Sequence, residues 1–140
     1  MNACRGSTYI VHTASPFIIN SRNEDDLIKP AVNGTLSIMR AAKANKVKRV
    51  VITSSVAAIY NSSDRNKLNF TAEDWSDPAI GNFYERSKTL AEKAAWDFIN
   101  TLPDEEKFEL VTINPGLVFG PNLNEAQFES GDLIKKLMLK

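Results

Sequence analysis

Lys48-Arg49-Val50-Val51-Ile52-Thr53-Ser54-Ser55 is the stretch on which the reading of the fold turns. Within residues 49–53, Val50, Val51 and Ile52 are β-branched and apolar, which suits a strand buried on both faces, as in a parallel sheet. Upstream, Tyr9-Ile10-Val11-His12-Thr13-Ala14 reads as a short strand that stops before Pro16. Between the two, residues 24–45 repeat apolar side chains at helical spacing: Leu27, Ile28, Ala31, Val32, Leu36, Met39 and Ala42. Pro30 inside that run implies either a kink or a later start. Downstream, residues 60–80 are rich in Asn, Ser and Asp and read as a loop whose length marks it as functional. Residues 82–101 predict a second helix, with Leu90, Ala94, Ala95 and Phe98 on its buried stripe and Pro103-Asp104 beyond its end. Residues 108–113 predict a third strand, closed by Asn114-Pro115-Gly116, and another helix begins at Gly131.

Strand and helix in strict alternation predict an α/β fold, a parallel sheet with helices on its faces. In such a sheet ligands collect beyond the carboxyl ends of the strands. Those ends are Ala14-Ser15-Pro16, Ser54-Ser55 and Pro115-Gly116, so all three should line one edge. The second helix brings Tyr84 and Lys88 within reach of that edge, on one helical face. An ammonium beside a phenol favours the phenolate and lowers its pKa from about 10. A tyrosine tuned in this way exchanges a proton with a substrate oxygen near neutral pH. The pair alone says little, because Tyr/Lys pairs at this spacing are common on solvated helices, and paired serines commonly open turns. Together they read as a Ser/Tyr/Lys group.

The bulk properties narrow the function further. The chain has 140 residues, enough for one domain with a real core, and is 43% hydrophobic and 24% charged. Its net charge is zero, which argues against a nucleic-acid partner, and the run Lys43, Lys46, Lys48 and Arg49 suits a helix C-terminus instead. One cysteine, Cys4, permits no internal disulfide, and with the single His12 it makes no metal set. No apolar run reaches the roughly 20 residues that span a bilayer, so no membrane role is expected. Residues 1–11 imitate a signal peptide only faintly. A cytoplasmic location is therefore expected, and the sequons at Asn33, Asn61 and Asn69 matter only in a secreted chain.

Several stretches resemble the extended short-chain dehydrogenase/reductases, nearest the dihydroflavonol reductase and cinnamoyl-CoA reductase-like branch. They are Val11-His12-Thr13-Ala14-Ser15-Pro16-Phe17, Pro30-Ala31-Val32-Asn33-Gly34-Thr35, residues 48–55, Glu73-Asp74-Trp75-Ser76-Asp77, the run from Tyr84 to Trp96, and Asn114-Pro115-Gly116-Leu117-Val118-Phe119-Gly120-Pro121. The resemblance covers most of the chain in the family's order. It implies a Rossmann-type doubly wound parallel sheet, present here in part: residues 1–140 as one nucleotide-binding domain, with the N-terminal strands and the C-terminal substrate portion missing. It implies Ser55, rather than Ser54, as the catalytic serine, Tyr84 as acid/base and Lys88 as its electrostatic partner. Ala14, Ser15 and Ser54, with Tyr84 and Lys88, would meet the cofactor, and Pro115, Gly116, Leu117 and Val118 would wrap its nicotinamide carboxamide. The cofactor implied is NADP, with NAD as the alternative. Asn33 either matches an asparagine that helps organise a proton relay in related enzymes or is a polar residue of the helix interior, and Trp75 either pins its loop or meets substrate. Tyr60 stands near the place of a substrate-binding asparagine in dihydroflavonol reductases, which argues against a flavonoid.

The activity implied is reduction of a small-molecule aldehyde or ketone to an alcohol. The family's Gly-x-x-Gly-x-x-Gly turn, which receives the pyrophosphate, does not occur in the sequence, so these residues alone are expected to bind cofactor poorly. The same scaffold also serves epimerases, dehydratases and 3β-hydroxysteroid dehydrogenases. A reading from another class is a non-catalytic, dimerising remnant, in which the helices at residues 24–45 and 82–101 pair with a second copy.

Overall fold

The computed structural model describes residues 2–16, 23–64, 66–121 and 129–139. Strands β1 (Tyr9–His12), β2 (Arg49–Thr53) and β3 (Glu109–Ile113) form a parallel sheet in the order β1-β2-β3. Tyr9 lies opposite Arg49 and His12 opposite Ile52, while Arg49 also faces Glu109 and Thr53 faces Ile113. Helix α1 (Ile28–Ala44) joins the first two strands, α2 (Phe83–Asn100) the second and third, and α3 (Glu129–Met138) follows. β1 is shorter than expected: its pairing with β2 ends at His12 opposite Ile52, and Thr13 and Ala14 lie beyond it.

Pro30 takes the later start. A 3-10 turn at Glu24–Asp26, capped by Asn23, precedes α1, and Pro30 then falls in the helix's first turn. N–H groups there have no intrahelical acceptor, so a missing one does no harm. At the other end Lys46 adopts a left-handed conformation (φ 53°), while Val47 N donates to Ala42 O at 3.0 Å and Lys46 N to Lys43 O at 3.2 Å. That is a Schellman closure with lysine where glycine is usual.

Both long helices cover the same face of the sheet. Met39 and Ala42 of α1 and Ala95 and Ile99 of α2 join Val47, Val50 and Ile52 in one core, with Ile10 and Leu110 packed against it. Two successive right-handed crossovers in the same direction place their helices on the same side. The expectation that β2 is buried on both faces therefore fails in part: Val50 and Ile52 are buried, but Val51 and Thr53 only half so. Tyr9 (63% exposed) and Val11 (68%) also lie on the uncovered face. Among the described residues no helix is long and apolar enough to cross a membrane.

Candidate active site

The carboxyl ends of the strands converge as the topology requires. Past the end of β2, Ser54 N donates to Ile113 O (2.8 Å) and Val56 N to Pro115 O (3.0 Å), so pairing with the β3 side continues and draws Pro115 against Ser55. Ser55 has extended backbone and caps the 3-10 turn Val56–Ala58, its Oγ accepting from Ala57 N at 3.1 Å. Ser76 ties the long loop to this turn, donating from Oγ to Ala57 O and from N to Ala58 O, both at 2.8 Å.

A capping box starts α2. Asn82 Oδ1 accepts from Glu85 N at 3.0 Å, and Glu85 Oε2 accepts from Asn82 N at 2.8 Å. Gly81, at φ 89°, permits this close approach; a Cβ there would lie 2.3 Å from Glu85 Oε2. Tyr84 and Lys88 consequently occupy the first two turns, the end of the helix that meets the sheet's carboxyl edge.

A cleft of about 490 Å3 opens at this edge. Ser15, Ser54, Ser55, Tyr84, Lys88, Pro115, Gly116, Leu117 and Val118 line it. Ala14 does not; it lines a small hollow behind, with His12, Thr35, Lys88 and Glu92. Asn33 is exposed on α1, and Thr35, buried two residues on, is the α1 residue at that hollow. The relay expected of Asn33 therefore loses its geometry, because a two-residue step turns a helical side chain well away from its neighbour's face. Trp75 packs under Lys93, whose Nζ lies 5.3 Å from the ring centroid, and so pins its loop to α2 outside the cleft. A wider depression of about 910 Å3, lined by Lys43, Lys46–Arg49 and Glu105–Glu109, opens at the opposite edge, away from the serines.

Electrostatics correct one expectation. Lys88 is 8% exposed, makes no ion pair among the described residues, and stands 5.7 Å from the Tyr84 ring centroid. Burial lowers its pKa, because the charged form is deprived of water. Tyr84 is pushed up, not down: burial dominates, and the Ser55 hydroxyl only opposes it. Spacing showed the ammonium partner but not the loss of solvent around the phenol. His12 is lowered by burial first and by Lys88 second. Tyr60 donates to Glu85 Oε1 at 2.6 Å and is raised to about 12, chiefly by that bond.

Three residues at or beside the cleft were not singled out from sequence. Glu85 gathers Tyr60, Asn61 and Asn82 at the cleft mouth; the capping-box spacing Asn82-x-x-Glu85 was its legible signal. Asn114 and Glu92 meet behind Ser55, and nothing in their spacing announces it.

Known proteins resemble this chain in sequence and in fold. The NADPH-dependent methylglyoxal reductase GRE2 of Saccharomyces cerevisiae is 40% identical over 92% of this chain and 43% of its own length. Cinnamoyl-CoA reductase CAD2 of Medicago truncatula is 38% identical over 99% of this chain and 43% of its own. The crystal structure of yeast methylglyoxal/isovaleraldehyde reductase Gre2 complexed with NADPH superposes with a TM-score of 0.79 at 38% identity, covering 94% of this chain and 44% of that one. The chain thus spans less than half the length of these relatives. A profile of the 3-beta hydroxysteroid dehydrogenase/isomerase family matches residues 1–137. On that match and these identities the chain belongs to the 3-beta hydroxysteroid dehydrogenase/isomerase family, a Rossmann-fold branch of the extended short-chain dehydrogenase/reductases.

Proposed function

We propose that the protein carrying this chain reduces a small-molecule aldehyde or ketone to an alcohol, with NADPH as reductant and NADH as the alternative. The observation that carries this reading is the meeting of Ser55, Tyr84 and the buried Lys88, which has no ion pair among the described residues, in one cleft. Relatives named as reductases, one of them NADPH-dependent, support it.

The residues present suit the nicotinamide–ribose end of such a nucleotide. Lys88 offers three N–H donors to hydroxyl acceptors, and Ser54 Oγ is a buried hydroxyl with no hydrogen-bond partner among the described residues. Ser54, Lys88 and Ser15 would hold the ribose, with Ala14 behind them, and Pro115–Val118 would face the carboxamide. When bound, the nucleotide supplies the hydride. Tyr84 Oη gives its proton to the carbonyl oxygen while Ser55 Oγ–H donates a hydrogen bond to the same atom. Burial keeps the phenol protonated, the form that reduction needs, and Lys88 stabilises the phenolate left behind. Lacking the glycine-rich pyrophosphate turn, the 140 residues alone should bind NADPH weakly, and tight stoichiometric binding in a fluorescence titration would overturn that expectation.

Tyr84→Phe in the full-length protein tests the assignment. Turnover, read from NADPH absorbance, should fall about 10²- to 10⁴-fold with binding retained, and unchanged turnover refutes it. The family profile favours a second reading, a hydroxysteroid substrate on the same three residues; parallel assays with small aldehydes, sugar nucleotides and sterols separate the classes. Pairing of two copies through α1 and α2 belongs to the proposal as well, and a monomer by sedimentation would remove it.

A further inference from the structure

Ser55 is held by more than its own turn. Its carbonyl oxygen accepts from Ala58 N (3.0 Å) and from Asn114 Nδ2 (3.0 Å). The same Asn114 nitrogen donates to Glu92 Oε2 at 2.8 Å. An amide NH2 has two hydrogens, and both are spent here, one on the end of β2 and one on α2. Glu92 is a carboxylate only 6% exposed, and among the described residues Trp96 Nε1 also donates to it, at 3.4 Å. A carboxylate this deeply buried is tolerated only where hydrogen bonds replace water. Glu92 lies one turn beyond Lys88 and two beyond Tyr84, on the same side of α2. Asn114 therefore bridges the element that carries Ser55 to the helix that carries Tyr84 and Lys88.

We propose that Asn114 and Glu92 form a positioning clamp that sets the Ser55 hydroxyl in register with the Tyr84 phenol. The inference rests on the catalytic reading above and deepens it. Neither residue lines the cleft, so neither touches substrate; each acts through Ser55. Two hydroxyls aimed at one carbonyl oxygen tolerate little misalignment, since a displacement near 1 Å can cost about 10²-fold in rate. Cutting the bridge leaves Ser55 Oγ capping its turn and leaves the turn tied to α2 by the longer Thr89 Oγ1–Ala57 O hydrogen bond (3.4 Å), a looser hold that lets it shift.

The test is a double-mutant cycle in the full-length protein. Asn114→Ala should lower kcat about 10- to 100-fold while KM for the carbonyl stays within about threefold. The loss should vanish when Asn114→Ala is placed in a Ser55→Ala background, because there is then no hydroxyl left to position. Glu92→Gln should retain most of the activity, since its carbonyl oxygen still accepts from Asn114, whereas Glu92→Leu should behave as Asn114→Ala. Asn114→Ser, whose hydroxyl is too short to reach both acceptors, replaces Asn114→Ala if the latter fails to fold. Additive losses in the cycle overturn the clamp, as does wild-type kcat in Asn114→Ala or Asn114→Ser. If Ser55→Ala and Tyr84→Phe are themselves fully active, the catalytic reading has failed and the clamp falls with it. A dead Tyr84→Phe beside a fully active Asn114→Ala refutes the clamp alone.

Discussion

Lys88→Met should make the fold more stable and the enzyme inert. The lysine is buried, makes no ion pair among the described residues, and has burial as the sole cause of its lowered pKa. Methionine keeps the unbranched stem and removes the charge. Exchanging buried charges for apolar groups of similar volume gains about 1–4 kcal/mol in measured cases, and a lone lysine leaning on a ring belongs near the lower half, about 1–2 kcal/mol. Unfolding entropy near 2.1 cal/mol/K per residue gives about 0.3 kcal/mol/K for 140 residues, so the midpoint should rise by about 3–7 °C. The pH dependence has a definite sign. Below the folded-state pKa the lysine is charged in both states and the penalty is complete. Between that value and 10.5 the native state sheds its proton while the unfolded chain keeps it, so wild type gains stability as pH rises. The advantage of Lys88→Met should therefore shrink across that alkaline window. Thermal unfolding by circular dichroism at neutral and alkaline pH reads both effects. A lower midpoint for Lys88→Met at neutral pH, or a gap that widens with pH, would refute the account of Lys88 as an unpaired buried charge.

Other substitutions probe the scaffold. Gly81→Ala forces a side chain onto a backbone at φ 89° and into Glu85 Oε2, so it should destabilise by about 1–3 kcal/mol and loosen the start of α2, visible as a lower unfolding midpoint. Lys46→Gly relieves the left-handed lysine at the end of α1 and should stabilise by about 0.5–1 kcal/mol in urea titrations with an unchanged slope. Met39→Ala empties the centre of the core, where Met39 is fully buried, and should lose about 2–5 kcal/mol by the same measurement.

Much of this protein is local, and local features are legible in sequence. The β-branched run at Val50–Thr53, the 3.6-residue pattern from Leu27 to Ala42 and the strand–helix alternation require no knowledge of distant neighbours. Neither does the one-turn spacing of Tyr84 and Lys88, which fixes them on one helical face whatever surrounds it. What spacing cannot say is which face of a helix meets the sheet. Of the expected stripe on α2, Ala95 is buried while Leu90, Ala94 and Phe98 are only half-buried, and the buried line runs through Ser87, Lys88, Thr89, Ala91 and Glu92 before it reaches Ala95 and Ile99. The helix is turned so that its polar residues meet the carboxyl edge, a choice made by packing against β2 and α1. Asn33 yields its place to Thr35 for the same rotational reason. The sign of the Tyr84 shift was likewise out of reach, since it depends on water excluded by residues far away in the chain. Asn114 and Glu92, 22 residues apart, meet only because β3 comes to lie beside β2. The chain's order determined which chemical groups are present and roughly where the edge lies; the order of strands and the roll of α2 decided which of those groups face one another, because solvent exclusion and hydrogen-bond geometry are properties of neighbours in space.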